Sequence, residues 1–103
     1  GPDTRRVAVL GDMLEMGDHG EAGHRQVGKA AARTGLTRLV CVGPQSRWIE
    51  EEALRGGMSD VQWYPDSRRA AEDAALWSWN CDVILVKGSN GTRMDVIVQA
   101  LIQ

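Results

Sequence analysis

The sequence predicts an open α/β sandwich, and three observations carry that prediction. Short apolar runs recur at 7–10, 39–42, 61–64 and 83–86, rich in Val, Leu and Ile. The first, second and fourth are apolar throughout rather than alternating, which is how strands covered on both faces read. Helical patterns separate the runs, so the order is β-α-β-α-β-α-β-α. That order favours a Rossmann-like architecture: a mainly parallel sheet of about four strands with flanking helices and right-handed crossovers.

The first helix is bracketed by Asp18-His19-Gly20-Glu21, which has the D-x-x-E form of a capping box, and by Gly35 as a stop. Between them Gly23, Val27, Ala30, Ala31 and Thr34 fall on one face. Ser46 is placed to cap a second helix, which Gly56-Gly57 ends. Pro65-Asp66-Ser67 opens a third, with Ala70, Ala74 and Trp77 along one side. The last begins near Thr92, where T-x-x-D to Asp95 again has a capping pattern. Its Met94, Ile97, Val98 and Leu101 stand at i, i+3, i+4 and i+7. Gly1-Pro2, ahead of the first strand, reads either as a scar of tag removal or as native loop.

Residues 1–103 make a single domain by length. Hydrophobic residues at 43% and charged ones at 25% are ordinary for a soluble globular chain, so a packed core is expected without staples. A formal charge of −2 gives no reason to expect nucleic acid or an anionic membrane as partner. No apolar stretch approaches the ~18 residues of a membrane span and no signal-peptide pattern opens the chain. Cytoplasmic location is the expectation, with Cys41 and Cys81 reduced and buried because their spacing suits no metal site. Trp77 and Trp79 are expected to pack under a helix end.

In a parallel sheet the loops leaving the carboxy-terminal strand ends share one edge, where helix N-termini also point. Here they are 11–20, 43–46, 65–67 and 87–92. Asp12, Glu15 and Asp18 make the first acidic; Lys87 and Arg93, with the amides at a helix start, make the last cationic. If the two strands lie side by side, the edge suits a zwitterion, its ammonium on carboxylates and its carboxylate on lysine and amides. An amino acid or small peptide fits that description. The plainer readings stand beside it. Asp12 and Glu15 also read as solvated loop residues, Gly88 and Gly91 as a tight turn, His24 as a packing or capping residue, and His19 as surface.

Several enzyme classes are excluded. There is no G-x-G-x-x-G after the first strand, no G-x-S-x-G elbow and no phosphate loop of G-x-x-x-x-G-K-[ST] form. Two histidines without suitable spacing argue against zinc, and nothing in the chain activates ATP unaided.

Two stretches carry a family resemblance. "VAVLGDMLEMGDHGEAGHRQVG" (7–28) resembles the G-x-M-x-E-L-G…H…V-G stretch in the carboxy-terminal domain of MurF-type Mur ligases. "DVILVKGSNGTRMDVIVQAL" (82–101) resembles that domain's closing D-V-V-L-V-K-G-S-R-x-x-R-M-E-x-V-V-x-A-L. The resemblance implies a piece of a UDP-N-acetylmuramoyl-tripeptide–D-alanyl-D-alanine ligase of cell-wall synthesis. In that family ATP and magnesium, held by a central ATPase domain, activate the tripeptide as an acyl phosphate, which the amine of D-Ala-D-Ala attacks. The carboxy-terminal domain closes the cleft and presents the dipeptide. By the resemblance, Asp12, Glu15, Lys87, Ser89, Asn90 and Arg93 make the substrate-binding set and His24 falls on the motif histidine. No catalytic residue, metal ligand or bound cofactor is expected in this chain. Its partners are the dipeptide, the UDP-linked tripeptide and the ATPase domain of the same enzyme.

The chain departs from the family pattern in places. Asn90 stands where Arg is frequent, and Asp95 replaces Glu. The strand and D-x-Y-N-A-N-P segment that normally open the domain are absent, as are the UDP-binding and ATPase domains, so a truncated and inactive piece is expected. The alternative is a receiver-like or small-ligand-binding module, since Asp12 and Lys87 superficially fit a phospho-acceptor arrangement. A receiver needs further acidic residues near its start, and only Asp3 precedes the first strand. A second alternative is another Mur ligase branch, adding diaminopimelate, lysine or glutamate.

Overall fold

A computed structural model describes residues 3–102; Gly1-Pro2 lies outside them. The strands are β1 (Arg6–Gly11), β2 (Arg38–Val42), β3 (Val61–Tyr64) and β4 (Val83–Lys87). They form one parallel sheet in the order β3-β2-β1-β4. The helices are α1 (Gly20–Ala32), α2 (Ser46–Arg55), α3 (Ser67–Glu72), α4 (Ala74–Trp77) and α5 (Met94–Ile102), with 3₁₀ segments at Leu14–His19 and Asn90–Thr92.

Strand alternation sorts the core into two layers. Val7, Val9, Val40 and Val42 face one side, where Ala70, Ala74, Trp77, Met94 and Ile97 of α3–α5 close over them. Ala8, Leu39 and Cys41 face the other, under Ala31, Ile49 and Ala53 of α1 and α2. Trp77 is fully buried and donates its indole N–H to Ala70 O at 2.9 Å. Trp79 does not pack: it stands 75% exposed past the end of α4. Cys41 and Cys81 are both free thiols, Cys41 fully buried, and burial raises its thiol well above the ordinary range. Cys81 is only half-buried.

The fourth strand differs from the expectation of cover on both faces. Ile84 and Val86 pack into the layer of α3–α5. Val83 and Leu85 are 53% and 55% exposed. In register Leu85 pairs with Ala8, so the bare side of β4 is the side of α1 and α2. Those two helices cover β1, β2 and β3 and stop short of it.

The caps differ too. No side chain caps α1, so the 18–21 box does not form; the chain instead enters through the 3₁₀ segment, with Gly17 at φ +56°. The buried line of α1 is Gly20, His24, Gly28 and Ala31, while Ala30 and Thr34 face solvent. Gly28 sets that line. A Cβ there would lie 2.4 Å from Ile49 O and 2.8 Å from Glu52 Cβ, so α1 and α2 cross in near-backbone contact. Ser46 is the first residue of α2 rather than its cap. The third helix opens at Pro65-Asp66-Ser67 as expected, with Asp66 as the cap of α3, accepting Arg69 N–H at 2.9 Å. The third helix is two pieces joined at Asp73, yet Ala70, Ala74 and Trp77 still share the buried side. Before α5, Thr92 donates to Ser89 O within the 3₁₀ turn and Asp95 pairs with Arg93, so the expected box is absent there as well.

One ionic group lies under the α1–α2 contact. Glu52, 3% exposed, takes Arg25 at 2.7 Å and Arg55 at 2.8 Å; the hydrogen bond from Arg25 holds its carboxyl below the usual range. At the far edge the Tyr64 hydroxyl meets Asp73 Oδ2 at 2.9 Å, and burial followed by that contact pushes the phenol up to about 12.

Candidate functional site

In the order β3-β2-β1-β4 the chain winds from β1 toward β3 and then returns to the opposite side of β1, so the switch point lies between β1 and β4. The crevice beyond the carboxy-terminal ends of two such strands is where open α/β sheets take ligands. The acidic and cationic loops flank that crevice, as the zwitterion argument required, because β1 and β4 are paired from Arg6↔Val83 to Leu10↔Lys87.

The loop after β1 is fixed residue by residue. Asp12 is 1% exposed, and both carboxylate oxygens are engaged. Oδ2 accepts Gln45 N–H at 3.1 Å; Oδ1 accepts Ser46 N–H and the Ser46 hydroxyl, each at 2.8 Å. Asp12 therefore caps α2 from another loop. Gly43, at φ +111°, leaves the room, since a Cβ there would lie 2.6 Å from the Asp12 carboxylate. This corrects the sequence-based placing of Asp12 among ammonium ligands. It also removes the receiver alternative, which needs an open aspartate. Met13 N–H donates to His24 Nε2 at 3.0 Å, while Nδ1 of the same ring faces Gly20 O at 2.5 Å. A carbonyl partner requires Nδ1 to carry the hydrogen, so His24 holds the loop as a neutral ring. It is fully buried at the centre of the α1 face, against Trp48. Leu14 N–H donates to Ser89 Oγ at 2.9 Å, and Ser89 Oγ–H donates to Glu15 Oε2 at 2.6 Å.

Glu15, Lys87, Ser89 and Asn90 line one crevice with Met13, Met16 and Gly88, about 540 Å³ in volume. Lys87 also reaches an adjoining apolar recess of about 200 Å³ between Leu10, Val27 and Ile49. The lysine side chain has no ion pair or hydrogen bond among the described residues. It is a free cation facing a carboxylate loop, over walls of thioether and methylene. Gly88 keeps the two loops together: a Cβ there would lie 2.8 Å from Met94 Cγ and 3.1 Å from Gly11 Cα.

Arg93 is not part of that crevice. It lines a separate cleft of about 320 Å³ with Leu14, Pro44, Pro65, Asp66 and Thr92. Its backbone is left-handed, at φ 55°, and its guanidinium is bidentate on Asp95 at 2.9 Å, which keeps that carboxyl below the usual range. Asp18 and His19 are exposed on the 3₁₀ segment and line neither cavity. Sequence reasoning missed Met13 and Met16; the signal was an M-x-x-M pair inside an otherwise acidic loop. It also missed that Ser46 belongs to the Asp12 cap. Among the described residues no cluster of His, Cys, Asp and Glu is arranged to hold a metal ion.

A doubly wound sheet with a charged crevice at its switch point defines an open α/β domain of the kind that receives a small polar ligand between two loops. The comparisons narrow this class. The profile of the family described as "Mur ligase, glutamate ligase domain" matches residues 1–90, and the chain belongs to that family. It is 38% identical over 98 residues to the UDP-N-acetylmuramoyl-tripeptide–D-alanyl-D-alanine ligase of Escherichia coli, covering 93% of this chain and 21% of that protein. To the ligase of the same name from Bacillus subtilis it is 31% identical over 100 residues, covering 96% and 22%. Among solved structures, MurF from Acinetobacter baumannii superposes with a TM-score of 0.80 at 23% identity, over 96% of this chain and 22% of that one. MurF from Thermotoga maritima, solved in complex with ADP, gives 0.71 at 22% identity, over 94% and 21%. These likenesses bear out the fold. The chain spans about a fifth of the length of the relatives it matches.

Proposed function

We propose that residues 1–103 are the carboxy-terminal domain of a longer ATP-dependent ligase that joins D-Ala-D-Ala to a UDP-N-acetylmuramoyl-tripeptide. In this reading the domain's task is to present the dipeptide. The observation that carries it is the crevice at the β1–β4 switch point, with Lys87, unpaired among the described residues, on one side and Glu15 on the other. Lys87 takes the dipeptide carboxylate, aided by backbone amides of the closing loop. Glu15 takes the ammonium end and directs it away from the sheet, toward the rest of the enzyme. Met13 and Met16 wall the space between and exclude water from the small side chains.

Activation of the tripeptide by ATP with magnesium belongs, in this proposal, to parts of the protein outside this chain, as does binding of the UDP moiety. The domain alone is then inactive, and the enzyme works in the cytoplasm. No described helix is long and apolar enough to cross a membrane. The two relatives described above carry the D-alanyl-D-alanine ligase name, which favours this branch over those adding other amino acids.

Kinetics of the full-length ligase carrying this chain test the proposal. Losing a hydrogen bond to a charged group costs about 1.5–3 kcal/mol, so Lys87→Ala raises KM for D-Ala-D-Ala roughly 10- to 100-fold, or lowers kcat by a similar factor. Unchanged dipeptide kinetics in that variant would remove the proposed role.

A further inference from the structure

We propose that Ser89 is the positioning residue of this crevice: it does not touch the ligand, but fixes Glu15 in place against Lys87. The inference rests on the dipeptide reading and deepens it. A serine hydroxyl has one hydrogen to give, and here it gives it to Glu15 Oε2 at 2.6 Å while accepting Leu14 N–H at 2.9 Å. The Ser89 N–H adds a third link, to Asp12 O at 3.1 Å. The strongest donation of that hydroxyl is thus already made within the protein, to a charged acceptor. Glu15 Oε1 takes no hydrogen bond among the described residues, so one carboxylate oxygen is tied and the other is left for a ligand.

The placement matters because both ends of the crevice are long side chains. Glu15 is exposed, on a 3₁₀ segment with no buried residue of its own. Without the tie its carboxylate samples many rotamers, and each binding event must select one. Ser89 lies two residues beyond Lys87 on the same chain. The hydroxyl therefore measures the acidic loop against the backbone that carries the lysine. It sets the spacing between the ammonium and carboxylate receptors, which is the quantity that separates a dipeptide from a single amino acid or a tripeptide.

The test uses the full-length ligase with Ser89→Ala, Ser89→Thr, Glu15→Ala, Lys87→Ala and the double variant Ser89→Ala/Glu15→Ala. Freeing one rotamer-rich side chain predicts a three- to tenfold rise in KM for D-Ala-D-Ala in Ser89→Ala, with KM for ATP at the wild-type value. Ser89→Thr keeps the hydroxyl and returns the dipeptide KM to within twofold of wild type. In the Glu15→Ala background Ser89→Ala adds nothing, because Ser89 acts through Glu15. An additive effect in the double variant, or a wild-type dipeptide KM in Ser89→Ala, overturns the proposal. If Lys87→Ala raises the dipeptide KM while Ser89→Ala does not, the crevice stands and only the role of Ser89 falls. If Lys87→Ala also leaves it unchanged, the dipeptide reading falls with it.

Discussion

Replacing Asp12 by alanine should damage the fold more than any ordinary surface change. The carboxylate serves three donors: the backbone N–H groups of Gln45 and Ser46 and the Ser46 hydroxyl. The hydroxyl has a second acceptor in Leu10 O at 3.5 Å and can turn to it. The Ser46 amide also faces Gly43 O at 3.2 Å, so the Gln45 amide, fixed at the start of α2, is the donor left without a partner among the described residues. A buried donor left without a partner costs about 1–3 kcal/mol, more than the ~1 kcal/mol of an exposed helix cap. One such donor puts the loss at about 1–3 kcal/mol, against the 5–15 kcal/mol that a domain usually has in total. For a domain this size it corresponds to a fall in Tm of roughly 4–24 °C. Asp12→Asn keeps one acceptor oxygen and should lose about half as much. Urea unfolding of the chain, followed by tryptophan fluorescence, measures both, with the m-value checking that the unfolded state is the same. A loss under about 1 kcal/mol for Asp12→Ala, with activity of the full ligase abolished, would refute the cap and restore Asp12 to the ligand site.

Two further outcomes follow from packing and burial. Gly28→Ala gains about 1 kcal/mol of helix propensity, yet its Cβ meets Ile49 O at 2.4 Å, and overpacking costs about 1–3 kcal/mol or more where backbone must move; a net loss is expected in urea unfolding, and a stabilised variant would show that α1 and α2 have room between them. Tyr64 is the single tyrosine, so absorbance near 295 nm reports it alone: it should ionise near 12 rather than 10, and its contribution to stability, full below the unfolded value, is lost as pH rises through the folded one. A midpoint near 10 in folded protein, or an unshifted titration in Asp73→Asn, would contradict the burial and the Asp73 contact in turn.

Much of the architecture was legible because local signals and the fold agree. Strand runs at 7–10, 39–42, 61–64 and 83–86 lie within the observed strands, and turn chemistry at Asp66 and at Gly56-Gly57 works at short range. The misread features share a physical cause: their partners are distant in sequence. Ser46 looks like a cap until Asp12, 34 residues earlier, is seen to do that work. The apolar face of α1 shifts by one residue because Gly28 lets α2 approach there, and spacing within α1 cannot report on α2. An all-apolar run at 83–86 implies cover on both sides, but composition cannot show that α1 and α2 stop at β1. The candidate site was partly legible. Charge at two loop ends placed Glu15 and Lys87 together; nothing in the spacing separated Arg93 into another cleft or committed the Ser89 hydroxyl to Glu15.

The stapling of residues 12–15 bears on how such domains can be recombined. Loops at the carboxy-terminal edge of α/β sheets are the usual cassettes for transplanting specificity, on the premise that the scaffold does not depend on them. Here the cassette after β1 carries the only side-chain cap of α2 among the described residues, rests on a histidine of α1, and is tied to the loop after β4. A chimera that swaps this loop alone takes an aspartate, or its absence, into contact with Gln45 and Ser46. The smallest interchangeable piece is therefore the set of 11–20, 43–46 and 87–93 with His24, moved as one.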